Sequence, residues 1–224
     1  MNYKLITFDV YSALMDIEGS ITPELRSRLN LDEASSHSLF RVWRTAQWNY
    51  LLLNNSMGNG FLSYKYITKC TLEYALQKLG AVLGESEKEE LVSCWIRLKP
   101  WPGAKDVLSE VRNRGYQIAI LSNGDEDMLR EMAEYCDISF DYIFSADQAG
   151  AYKPSPLIYE LPFKRLGLKR EEVLHVAGSS FDTMGAVAAG MVVAWSNRFQ
   201  DYTLDSRCQP AYCWNSLEEL LTIL

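Results

Sequence analysis

Three short apolar runs in this chain each stop at a cluster of polar, reactive residues, and that recurrence constrains the fold more than any other feature. Leu5-Ile6-Thr7-Phe8 delivers Asp9 just ahead of Tyr11-Ser12, Ile118-Ala119-Ile120-Leu121 ends in Ser122-Asn123-Gly124, and Val173-Leu174-His175-Val176-Ala177 ends in Gly178-Ser179-Ser180-Phe181-Asp182. Apolar runs this short, bounded by turn formers, fit strands covered on both faces, as in parallel sheets. Open parallel sheets build their sites outside the carboxyl ends of the strands. The three clusters are therefore expected to converge, together with the lysine loop Ala151-Tyr152-Lys153-Pro154 that lies between the last two. Such a convergence points to an enzyme whose nucleophile is a carboxylate.

From about Tyr116 onward, strand-like and helix-like segments alternate, which predicts βαβ units on a parallel sheet. Strands are expected at residues 4–9, 117–122, 142–145, 173–177 and 192–196, with helices near 126–136, 156–166 and 183–189. Between the first strand and the rest lie residues of another texture, without a clear strand. They read as amphipathic helices at 23–31, 36–53, 62–79 and 85–96, with Pro23 in a first helical turn and 54–60 as an irregular connection. Pro100-Trp101-Pro102-Gly103 punctuates the return. The fold class is thus α/β: a doubly wound, Rossmann-like parallel sheet formed by residues 1–15 and 97–224, with a helical cap domain inserted at 16–96.

The chain has 224 residues, enough to bury a sizeable core, and a net charge of −7. That charge disfavours nucleic acid or an anionic membrane as the main partner, although a local Arg and Lys can still attract a small anion into a cleft. Five cysteines without CxxC spacing indicate neither a disulfide framework nor a zinc site. With no leader-like opening and no apolar stretch of membrane length, a cytoplasmic protein is expected.

Each candidate residue also has a plain structural reading. A carboxylate ending an apolar strand is awkward for a core and natural for a site, but Asp9 could simply cap the next turn. Lys153 could be a solvated loop lysine, Ser122 and Asn123 ordinary turn residues, and Asp182 the N-cap of the following helix. Arg44, beside Trp43, Gln47 and Trp48, could be a solvated helix arginine. The aromatics Trp43, Trp48, Tyr50, Phe61 and Tyr64 read first as packing among the inserted helices, with Phe181 a candidate to wall an apolar slot. His37, near a helix start, and His175, inside a strand pattern, are poor catalytic candidates.

Taken in order, Phe8-Asp9-Val10-Tyr11-Ser12-Ala13-Leu14, Leu121-Ser122-Asn123-Gly124, the Lys153-Pro154 loop and Gly178-Ser179-Ser180-Phe181-Asp182 resemble the four motifs of the haloacid dehalogenase superfamily. Trp43-Arg44, Tyr159 and Trp195-Ser196-Asn197-Arg198 are similar to its L-2-haloacid dehalogenase branch. The resemblance implies catalytic roles for Asp9 as nucleophile, Lys153 between the two acids, and Asp182 orienting or deprotonating water. It implies substrate contacts from Val10, Tyr11, Arg44, Ser122, Asn123, Tyr159, Ser179 and Phe181. The substrate would be a small anionic carboxylic acid, opened at a C2–X bond through an ester to give a 2-hydroxy acid, by a homodimer.

Phosphatases of the superfamily carry a second acid where this chain has Tyr11, and metal-dependent members carry Asp where it has Ser179. Asp9 and Asp182 alone make a thin magnesium site, so neither metal nor cofactor is expected. Alternatives within reach are a hydrolase opening a strained ring such as azetidine-2-carboxylate, a phosphatase of the superfamily, or a binding homologue without turnover. Ala13 stands where the branch resembles Thr, and Ala177 and Ser179 where it resembles Ser and Asn. These positions put the substrate in question more than the reaction class.

Overall fold

The computed structural model describes residues 3–224. Strand β1 (Leu5–Phe8) runs into a π-helical turn, Val10–Leu14, whose carboxyl end leads to the two-residue strand β2 (Met15–Asp16). Four helices follow: α1 (Ile17–Leu29), α2 (Glu33–Met57), α3 (Tyr64–Lys78) and α4 (Glu85–Ser93). Strand β3 (Lys99–Pro100) then pairs antiparallel with β2. The chain continues through α5 (Ala104–Asn113), β4 (Gln117–Ser122), α6 (Glu126–Tyr135), β5 (Tyr142–Ser145) and the short helices α7 (Ala146–Ala149), α8 (Pro156–Tyr159) and α9 (Leu161–Leu166). It closes with β6 (Val173–Ala177), α10 (Ser180–Ala188), β7 (Val192–Ser196) and β8 (Tyr212–Trp214).

The six longer strands form one sheet in the order β5-β4-β1-β6-β7-β8, every pairing parallel. This is a Rossmann-like winding. The order reverses beside β1, so the crevice at the carboxyl ends of β1, β4 and β6 is where such sheets bind ligands. β1, β4 and β6 are buried almost throughout, which explains their uninterrupted apolar character.

Several expected boundaries move. The first inserted helix starts at Ile17, not at Pro23, because the Asp16 carboxylate accepts the Gly19 N–H at 2.8 Å and caps it there. Pro23 lies inside the helix, where it withholds one hydrogen bond without ending it. Helix α2 runs on through Asn54–Met57 to Gly58, whose φ of 70° suits a helix end, so the connection expected at 54–60 shrinks. The helix expected at 156–166 is two, broken next to Pro162. α5 and β8 were not anticipated.

Gly178 brings two functional turns together. A side chain there would collide with the backbone of Ser12 and Ala13, so only glycine lets the β6–α10 turn rest on the turn after Asp9. Gly178→Ala is expected to destabilise the protein by about 1–3 kcal/mol, the usual range for overpacking, read from the midpoint of urea unfolding.

Candidate active site

Asp9 follows β1, and its carboxylate turns back over the sheet edge. Oδ1 accepts from Ser122 Oγ at 3.0 Å and from Lys153 Nζ at 3.3 Å. Oδ2 accepts from the Ser12 N–H at 3.0 Å and closely from the Ser12 hydroxyl. Ser12, quoted above only as part of a motif, therefore supplies a hydroxyl to Asp9 that its neighbour Ala13 cannot. Asp9 is 7% exposed, and that margin opens into a cleft.

Lys153 sits between the two acids, with its ammonium 2.9 Å from Asp182 Oδ2. The lysine is 1% exposed and Asp182 2%. A buried ammonium of this kind persists only when paired. Its backbone N–H donates to Asn123 Oδ1 at 2.7 Å, which fixes the loop and leaves the Asn123 amide hydrogens for the cleft.

Asp182 is held on three sides. Its Oδ2 accepts from Lys153 and lies 3.0 Å from His175 Nε2, while Oδ1 accepts from the Tyr159 hydroxyl at 2.9 Å. Burial pushes this carboxyl up, but the charges of Lys153 and His175 and their hydrogen bonds outweigh it and hold the acid well below the usual carboxylate range. Ser179 caps the same helix turn, its Oγ accepting the Asp182 N–H at 3.3 Å. Asp182 is thus better built to orient a water molecule than to store a proton.

His175, passed over in the sequence, belongs to this network. Its Nδ1 lies 2.9 Å from Thr7 Oγ1, its partner in the β1–β6 register. Period-two alternation puts Thr7 and Asp9 on one face of β1, with His175 opposite Thr7, and that signal could have placed it.

Eight of the expected residues reach the cleft, which has a volume of about 400 Å³: Asp9, Tyr11, Arg44, Asn123, Lys153, Ser179, Phe181 and Asp182. Val10, Ser122 and Tyr159, expected as substrate contacts, are completely buried and do not line it. Ser122 and Tyr159 instead hold Asp9 and Asp182 from behind. Arg44 projects from α2 on the far wall, where its Nη1 donates to Gln47 Oε1 at 2.5 Å and to Tyr64 Oη at 3.4 Å. Its guanidinium lies 5.4 Å from the Trp95 ring and 5.8 Å from Trp48. Trp48, Tyr64 and Phe181 line the cleft, whereas Trp43 is buried packing. Tyr11 stacks on Tyr64 at 5.1 Å, and burial pushes its phenol well above its ordinary range.

A Rossmann-like sheet that gathers a buried Asp–Lys–Asp cluster at its switch point, beneath a wall of inserted helices, defines a hydrolase of the haloacid dehalogenase type. The chain belongs to the haloacid dehalogenase-like hydrolase family, which residues 3–190 match. It is 31% identical over 198 residues to haloacetate dehalogenase H-2 of Moraxella sp. (strain B), covering 88% of this chain and 86% of the relative. It is 30% identical over 204 residues to (S)-2-haloacid dehalogenase of Pseudomonas sp. (strain YL), covering 88% and 84%. Its structure is similar to that of L-2-haloacid dehalogenase from Xanthobacter autotrophicus with chloropropionic acid covalently bound, with a TM-score of 0.83, 25% identity and 99% and 98% of the two chains covered.

Because the folded-state acid of Asp182 is depressed, it contributes stability that is fully present above the unfolded carboxylate pKa of about 4 and is lost as pH falls further. Asp182→Asn should lower stability at neutral pH, where Lys153 loses a partner, yet flatten the loss between pH ~4 and lower values. Urea midpoints across that range measure both effects.

Proposed function

We propose that this chain is a 2-haloacid dehalogenase that acts through an ester on Asp9. The observation that carries this reading is the Asp9 carboxylate itself, paired with Lys153 and hydrogen-bonded by two hydroxyls at the floor of a cleft whose far wall bears Arg44. The bound acid would place its carboxylate against Arg44 and the Asn123 amide. One Asp9 oxygen then attacks C2 from the side opposite the halogen. The C–O bond forms as the carbon–halogen bond breaks, and halide leaves with the bonding pair.

Water oriented by Asp182 next adds to the Asp9 carbonyl carbon. One of its protons goes to the departing alkoxide as the ester C–O bond breaks, releasing the 2-hydroxy acid. The second water proton is lost to solvent as the carboxylate of Asp9 is restored. Lys153 lowers the charge repulsion between the two acids in both halves.

The donor set supports a metal-free reaction. The Lys153 ammonium occupies the space between Asp9 and Asp182 that a bridging divalent cation would need, and Tyr11 adds no carboxylate. The elevated phenol of Tyr11 also makes a poor proton donor for a phosphate leaving oxygen, which disfavours the phosphatase reading. The reading takes residues 16–96 as a cap over a core of 1–15 and 97–224. It includes a homodimer and a cytoplasmic enzyme, carried by the family likeness and composition respectively.

Halide release from 2-chloropropionate tests the proposal. Wild type should be active and unaffected by excess EDTA, and Asp9→Asn should fall to background while staying folded. Acid quench during turnover should leave a 1-carboxyethyl ester on the Asp9 peptide, read by mass. A folded Asp9→Asn variant with wild-type turnover sinks the nucleophile assignment.

A further inference from the structure

Behind the cleft lies a second, larger cavity of about 590 Å³, and the two share Tyr11, Ser12, Arg44 and Ser179 as a common partition. We propose that this second chamber is a subsite for a neutral aliphatic or aryl tail on C2, so that the enzyme takes 2-halo acids with tails longer than that of a three-carbon substrate. The inference builds on the dehalogenase reading and adds the class of acid.

The junction lies beside the reacting group, because Ser12 touches both Asp9 oxygen and chamber wall. A substituent on C2 of an acid attached at Asp9 can therefore pass over Ser12 and Ser179 without leaving the cleft. Haloacetate or 2-chloropropionate, with only a handful of non-hydrogen atoms, would fill a corner of two chambers that are each of ordinary ligand-pocket size.

The chamber wall says what the tail is. Met15, Phe40, Trp101, Trp195, Phe199 and Tyr202 give it an apolar and aromatic surface. Trp101 is held in place, with the Arg198 guanidinium 4.5 Å from its ring centre on one side and Phe199 edge-on at 6.1 Å. The Trp195–Arg198 motif, which takes no part in the chemistry at Asp9, thus builds this wall. Phe199 and Tyr202 are 70% and 82% exposed, apolar surface left in water next to a cavity mouth.

The charges exclude a second carboxylate on that tail. Asp16, Glu18 and Asp201 line the chamber, and each already has a local partner: the Gly19 N–H, His37 and the Ser180 hydroxyl. Arg44, at the partition, is the one cation among the described lining residues. A dicarboxylic acid would push its far end into three acids, whereas an alkyl or phenyl group meets rings.

The test compares kcat/KM for 2-chloropropionate, 2-chlorohexanoate and 2-chloro-3-phenylpropanoate in the intact enzyme. Each added methylene buried is worth about fourfold, so the longer acids should exceed the three-carbon acid by about tenfold or more. Phe199→Ala and Phe199→Glu, changes at an exposed position, should erase most of that gain and leave 2-chloropropionate within about twofold. Equal or falling kcat/KM with length overturns the inference, as does a variant that lowers all three substrates alike. It is also overturned if Phe199→Glu splits a dimer on size exclusion while the length profile stays unchanged, because the wall is then an interface. If no 2-halo acid releases halide, the dehalogenase reading fails by itself. The subsite is then tested by calorimetry with hexanoate and propanoate: tighter hexanoate binding lost in Phe199→Glu supports it, and equal binding overturns it.

Discussion

One buried ammonium shared by two buried carboxylates sets the terms for everything around it. Lys153 lies 3.3 Å from Asp9 and 2.9 Å from Asp182, and all three are nearly sealed from water. At such distances the Lys153 ammonium balances one of the two carboxylate charges. Desolvating them is tolerable only because Ser12, Ser122, Tyr159 and His175 satisfy the remaining oxygen lone pairs. The sheet exists, functionally, to bring these seven residues from β1, β4, β6, α8, α10 and their loops to one point. Gly185 adds to this, since any side chain there would run into the Tyr159 hydroxyl and Pro154 and push helix α10 off the lysine loop.

The inserted helices answer that negative charge with Arg44. It contacts Gln47, Tyr64 and two indole rings and forms no ion pair among the described residues, so its positive field is not spent on a local carboxylate. Ties between the inserted helices and the sheet are both aromatic, as in Tyr11 on Tyr64 and Phe61 on Tyr152, and polar. Asp125, at the start of α6, accepts the N–H groups of Tyr64 and Lys65 at 2.8 and 3.0 Å, and so caps α3 from the other side of the cleft. Asn55 and Tyr152 exchange a reciprocal pair of hydrogen bonds, each 2.8 Å. These contacts fix where Arg44 stands relative to Asp9.

What could be read in the sequence follows from how strongly each element depends on its own residues. The strands at 117–122, 142–145, 173–177 and 192–196 coincide with β4 to β7; for β4, β6 and β7 the reason is that strands buried on both faces must be apolar throughout, whereas β5 is a half-buried edge strand. Strand β8 has only three residues at the sheet edge, held by pairing to β7, and carries no such signature. The start of α1 turned on the side chain of Asp16, a local cap that outweighed the proline signal. Asp9, Lys153 and Asp182 were legible as a set. Ser12 and His175 were not, since they reach Asp9 and Asp182 through the geometry of the turns after β1 and β6, which residue type alone does not reveal. Ser122 and Tyr159 were found but misplaced, because a hydroxyl directed at a carboxylate reads in sequence like one directed at a ligand.

The small ribbon of β2 and β3 has a mechanical meaning. The chain leaves the sheet region at Met15–Asp16 and comes back at Lys99–Pro100, and these two crossings are bonded to each other. Two separate tethers would let the inserted helices slide and twist, but two tethers zipped together behave as a single hinge pin. The paired crossings hold the helices to the sheet at one place, and the Asn55–Tyr152 and Asp125–Tyr64 contacts hold them at others across the cleft. Ser12 and Gly178 lie on the sheet side of that pin, pressed backbone to backbone, so the spacing of the acids does not depend on the inserted helices.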